Sequence, residues 1–145
     1  MRFWDASAVV PLVCREPLSH RSRALYREDP RLLVWTLTAT EVLAALSRKR
    51  REGILIPEVF RESRHRLDLL SRDWMEIYDV DGTKMRAHRL LETHPLRAAD
   101  ALQLAAALVG VFDQPAGFEL VTFDEVLAAA AQREGFSVLS PGLRR

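Results

Sequence analysis

Apolar and polar positions alternate between two periods along the chain, and the switches between them predict its elements. "RFWD" (2–5) reads as a short strand ending at an acid, and "ASAVVPLVCRE" then takes up helical apolar spacing, with Pro11 expected in its first turns. "SHRSRALYRED" predicts a short helix stopped near Pro30, and "RLLVWT" (31–36) a strand. "TATEVLAALSRKRREG" predicts a helix in which Thr38 is the expected N-cap, Glu41 its capping-box partner and Gly53 the terminator. A long amphipathic helix is expected from Pro57 to about Asp73, anchored by Val59, Phe60, Leu67 and Leu70, followed by the strand "WMEIYDV" (74–80). "DGTKMRAHRLLETH" predicts a helix capped by Asp81 and closed by Pro95. "LRAADALQLAAALVG" (96–110) holds one acid, Asp100, in an otherwise Ala- and Leu-rich helix that reads as buried on nearly every side. "FELVTFD" (118–124) predicts a strand, "EVLAAAAQREGF" a helix ended by Gly135, and "SVLS" (137–140) a last strand.

Strands alternating with helices predict an α/β fold of three layers, a mainly parallel central sheet with helices on both faces. No repeat or linker divides the sequence, so residues 1–145 are expected to form one domain. In such sheets the functional crevice lies beyond the carboxyl ends of the strands. Asp5 and Asp124 fall at strand ends, and Glu41 and Asp100 in first helical turns. Each has a plain structural role open to it, as a cap or a favourable charge at a helix N-terminus. Together, four carboxylates in one crevice would repel one another, and a hard divalent cation such as Mg²⁺ or Mn²⁺ relieves that conflict. Ala6, Ala44, Ala45, Ala98, Ala99 and Ala101 are small enough to leave the approach open, while Ser7 and Thr122 can hydrogen-bond a carboxylate or a metal-bound water.

"FWDASAVV", "TATEVLAAL", "LRAADALQLAAAL" and "VTFDEVLAAAAQREGF", in this order, resemble the PIN-domain ribonucleases, most closely the VapC toxins of prokaryotic toxin–antitoxin pairs. The resemblance spans essentially the whole chain. It implies an Mg²⁺- or Mn²⁺-dependent endoribonuclease with a PIN-like fold, held inactive by a VapB-type antitoxin, and a homodimer. It places Asp5, Glu41, Asp100 and Asp124 at the catalytic and metal-binding positions, with Ser7 and Thr122 as supporting hydroxyls. Gln103 stands where many relatives carry His, where it would orient a water or a phosphate. Trp4 is bulkier than the usual residue before the first acid.

Charge and composition sharpen this only in places. Lys plus Arg number 21 and Asp plus Glu 20, so net charge says little, but the cations cluster. Arg48, Lys49, Arg50 and Arg51 are consecutive, and Arg61 and Arg64 follow on the next helix, making candidate contacts to an RNA backbone. A single cysteine, Cys14, excludes an internal disulfide and a multi-cysteine metal site. The apolar runs are too short to span a membrane, and no export signal is legible, so a cytoplasmic protein is expected. Two other readings are carried forward. "DVDGT" (79–83) matches the signature of haloacid-dehalogenase-like phosphatases, with Asp79 as nucleophile and Asp81 as partner, although that signature normally opens its domain. In the other, the acids are structural caps of a non-catalytic RNA-binding or scaffold protein.

Overall fold

The computed structural model describes residues 1–141. The described residues form five strands and seven helices in the order β1 (Arg2–Trp4), α1 (Ala6–Val13), α2 (Ser19–Glu28), β2 (Leu32–Trp35), α3 (Thr38–Arg51), α4 (Pro57–Leu70), β3 (Met75–Ile77), α5 (Val80–Thr93), α6 (Ala98–Gly110), β4 (Glu119–Val121), α7 (Glu125–Arg133) and β5 (Ser137–Leu139). The sheet is wholly parallel, with strand order β3-β2-β1-β4-β5. Chain order therefore reverses between β1 and β4, which is the switch point where such sheets open a crevice.

Side chains alternate across each strand and feed two cores. Phe3, Leu33 and Trp35 pack with α5, α6 and α7, whereas Trp4, Leu32 and Val34 pack with α1 to α4. Helix α6 is buried along most of its length, from Ala101 through Leu104 to Leu108, because its alanines let it lie close against the sheet and α5. Trp35 and Trp74 are core residues, and the Trp4 side chain is fully enclosed. Cys14 is buried and free, as a small hydrophobe.

Two local expectations are corrected, the caps of α3 and α5. Helix α3 is preceded by Leu37, which offers no side-chain cap, and the buried Thr38 hydroxyl instead accepts a hydrogen bond from the Gln103 amide at 3.3 Å, so no capping box forms. Helix α5 is capped by Asp79, not Asp81: Asp79 Oδ1 accepts from the Gly82 N–H at 2.9 Å, while the Asp81 side chain is 97% exposed. Glycine at 82 permits this, since a Cβ there would collide with the Asp79 carboxylate. Pro11 lies in the second turn of α1, at the sixth of its eight residues, where it removes one helical hydrogen bond near the end of a short helix. Gly53 and Gly135 adopt φ of +74° and +101° just beyond α3 and α7, the left-handed turn that ends a helix most readily at glycine. His94 follows α5 as its C-cap and is buried, with Nε2 at 2.7 Å from Glu134 Oε1. Among the described residues no helix is long and apolar enough to cross a membrane.

Candidate active site

The carboxyl ends of β1 and β4 are joined by a small hydrogen-bonded knot. Asp5, directly after β1, is 4% exposed and caps α1. Its Oδ2 accepts from the Ser7 N–H at 3.1 Å, from the Ser7 hydroxyl, and from the Thr122 hydroxyl at 3.0 Å. Ser7 Oγ in turn accepts from the Phe123 N–H at 2.9 Å, and Thr122 Oγ1 from the Asp124 N–H at 3.1 Å. The two hydroxyls thus tie the residue after β1 to the loop after β4. Asp124 caps α7 by accepting from the Leu127 N–H at 2.7 Å.

Glu41 approaches from the first turn of α3. Its Oε1 accepts from Gln103 Nε2 at 3.1 Å. Gln103 is 1% exposed, spends its amide hydrogens on Thr38 and Glu41, and leaves its Oε1 buried without a partner. It grips Glu41 from behind and is not among the residues that line the cleft. Asp100, in the first turn of α6, is half-buried.

A cleft of about 830 Å³ opens here, lined by Ser7, Glu41, Asp100 and Asp124, with Asp5 behind Ser7. Ala6, Ala44, Ala45 and Ala99 form its small walls, whereas Ala98 lies outside it and Ala101 is in the core. Arg48, Arg51 and Arg97 complete the rim. Of the six candidate RNA-binding cations, only Arg48 and Arg51 face this cleft. Lys49 pairs with Glu16 at 2.5 Å, Arg50 stacks on the Phe60 ring, and Arg61 and Arg64 form exposed pairs with Glu58 and Asp68 on α4. Arg97 was not singled out from the sequence; its position three residues before the acid of a buried helix is the signal that could have found it. Asp79 and Asp81 lie outside this cleft, and β3, which leads to them, is an edge strand.

The acids disturb one another. Burial pushes the Asp5 carboxyl up from its ordinary value against the pull of the Ser7 and Thr122 hydrogen bonds, and the Asp100 charge adds to the rise. Glu41 is pushed up to about 7, first by burial, with Asp5 and Asp100 raising it further against the Gln103 hydrogen bond. Asp100 is raised by burial and by Asp124, with Arg97 opposing. Negative charge is thus confined in a half-dry cleft without enough compensation.

Among the described residues no three Asp, Glu, His or Cys side chains are gathered tightly enough to hold a metal ion as they stand. The donor set nevertheless suits a hard cation. Every candidate is a carboxylate, and the hydrogen bonds on Asp5 and Glu41 converge on one oxygen each, leaving Asp5 Oδ1 and Glu41 Oε2 without any. Capping accounts for Asp5 and Asp124, and the Asp100 carboxylate also reaches back to the Arg97 backbone N–H at the start of α6. It does not account for Glu41.

Comparison with known proteins agrees with the architecture. Over 97% of this chain and 98% of the other, the fold superposes on a toxin–antitoxin complex from Klebsiella pneumoniae with a TM-score of 0.68 at 15% identity. FitAcB from Neisseria gonorrhoeae gives 0.66 at 14% identity over 97% and 98%. PAE2754 from Pyrobaculum aerophilum gives 0.62 at 21% identity over 96% and 87%. At such identities these likenesses speak for the fold alone. No curated protein matches the sequence at a significant level. The profile of the PIN domain matches residues 2–133, nearly the whole length, and the chain therefore belongs to the PIN-domain family.

Proposed function

We propose that this protein is a metal-dependent endoribonuclease and the toxin of a VapBC-type toxin–antitoxin pair, cleaving RNA phosphodiester bonds by hydrolysis. PIN domains are generally nucleases, which supports a hydrolase acting on nucleic acid. One observation carries the reading furthest: at the switch point of a parallel sheet, Glu41, Asp100 and Asp124 line one cleft with Asp5 buried beside it, and Glu41 has no capping duty there. Asp5 and Asp100 would hold the principal Mg²⁺ or Mn²⁺, with Glu41 and Asp124 completing its surroundings or holding a second ion. When bound, such an ion supplies Lewis acidity and a water acidic enough to ionise near neutral pH. The chain's own residues do the rest. Ser7 and Thr122 hold the Asp5 carboxylate in one orientation, and the rim cations Arg48, Arg51 and Arg97 bind and orient the phosphate backbone.

A small antitoxin of the VapB type would keep the enzyme inactive, and a homodimer would be the working form. The partner is supported by a structural neighbour described as a toxin–antitoxin complex. The test is cleavage of total RNA by the purified protein, with products mapped by end sequencing. Cleavage should stop in EDTA, return with Mn²⁺, and vanish in Asp100→Asn at unchanged circular dichroism. Equal cleavage by Asp100→Asn would defeat the assignment.

A further inference from the structure

A second concave, strongly basic surface lies beyond the far end of α1. Its volume is about 440 Å³; Arg15, Arg23 and Arg27 supply its positive walls, and His20 lies among them. All four are exposed, and among the described residues Arg15, Arg23 and Arg27 take part in no ion pair. Elsewhere on the surface several arginines are matched with an acid, as Arg31 is by Asp29, Arg86 by Asp113 and Arg89 by Glu134. Three unmatched guanidinium groups around one hollow repel one another, and a polyanion removes that repulsion.

The hollow is also connected to the acidic cleft. Helix α1 begins in the cleft, where Ser7 and Val10 line it, and ends at Val13, just before Arg15 and Glu16 of the hollow. At 1.5 Å per residue, α1 covers about 9 Å between Ser7 and its end at Val13, and Arg15 follows two residues later. A stacked strand places one phosphate about every 3.4 Å, so three or four phosphates cover the gap. Helix α3 bridges the same gap: Arg48 and Arg51 face the cleft, and Lys49 is fastened at 2.5 Å to Glu16, a wall of the hollow. That ion pair occupies the one acid in the hollow, leaving its cations uncompensated.

We infer that the hollow of Arg15, His20, Arg23 and Arg27 is a second binding site for the phosphate backbone of single-stranded RNA, holding the substrate a few nucleotides from the cleaved bond. This rests on the nuclease reading for the identity of the polyanion, but it is tested without catalysis. The cations bind backbone only, so the site adds affinity without sequence preference.

The experiment titrates a fluorescein-labelled single-stranded RNA of mixed sequence, about 20 nucleotides long, with the whole protein in EDTA. Arg23→Glu with Arg27→Glu is compared with the parent and with Lys84→Glu plus Arg133→Glu, a pair with the same charge change on α5 and α7. The hollow pair should weaken binding about tenfold and flatten the log–log salt dependence by about 2, with the control close to the parent. If the reversed pair fails to fold, Arg23→Ala with Arg27→Ala, which suits a helix, should flatten the salt dependence by the same amount. Equal affinity of the hollow pair and the parent, equal loss in the control, or no RNA binding by the parent would each overturn the inference. So would a poly-glutamate peptide of similar length that binds the hollow more tightly than RNA, which would mark a protein partner's site. Mn²⁺-dependent cleavage is assayed separately on the same proteins. If cleavage persists while the binding prediction fails, only the second site falls; if the parent does not cleave, the nuclease reading falls.

Discussion

Replacing Glu41 by Gln should stabilise the metal-free protein, by an amount that grows as pH rises from about 4.5 to about 7. Glu41 Oε1 already accepts from Gln103 Nε2, and a glutamine carbonyl oxygen accepts the same bond, so the substitution changes charge and little else. The carboxyl group is raised from 4.5 to about 7, chiefly by burial and then by Asp5 and Asp100. A group raised in this way holds its proton longer in the folded state than in the unfolded chain. Stability is therefore highest below about pH 4.5, falls as pH rises to about 7, and is level beyond. The full difference corresponds to about 3 kcal/mol, and screening by solvent at a half-buried group reduces it to about 2 kcal/mol. For a chain of this size that is a rise in Tm of roughly 4–8 °C. Thermal melts in EDTA should show the gain at pH 8 and none at pH 4.5. Saturating Mn²⁺ should cancel it, because the parent then has a cation to offset the charge. Equal melting at both pH values, or a variant less stable at pH 8, would refute the repulsion argument.

Other substitutions separate structure from chemistry. Asp5→Ala removes the α1 cap and leaves the Ser7 and Thr122 hydroxyls facing a void, so urea unfolding should show a loss of about 2–4 kcal/mol. Asp79→Ala should cost about 1 kcal/mol through the lost α5 cap without altering RNA cleavage, and neither protein should hydrolyse a chromogenic phosphate monoester. Gln103→Leu frees Glu41 to turn, and the Mn²⁺ concentration for half-maximal cleavage should rise about tenfold. An unchanged Mn²⁺ requirement would reduce Gln103 to a packing residue.

The order and type of the elements were legible because each apolar run carries one period and is bounded by Gly, Pro or an acid. The cleft was legible for a related reason: in a parallel sheet every strand delivers its following residue to the same edge, so Asp5 and Asp124 had to arrive near one another. Detail failed where two local solutions compete. Thr38 and Glu41 have capping-box spacing, yet burial turns Thr38 toward Gln103, a partner 65 residues away that no local pattern specifies. Asp79 and Asp81 both precede α5, and the missing Cβ of Gly82 decides between them. Charge runs were the least informative. Arg48 to Arg51 are consecutive, but a helix sends them in different directions, two to the cleft, one to Glu16 and one onto Phe60. Arg15, Arg23 and Arg27 form no run in the sequence: Arg23 and Arg27 share a face of α2 at a spacing of four, and the turn before α2 brings Arg15 beside them.

The central claim is that the four carboxylates share a cation. It is tested most directly by titrating the parent, Asp5→Asn and Asp100→Asn with Mn²⁺ and following the free ion by electron paramagnetic resonance. The account predicts a saturable site in the parent that either substitution removes, although the two residues are far apart in the sequence. A parent that binds no Mn²⁺, or variants that both bind as the parent does, would contradict it.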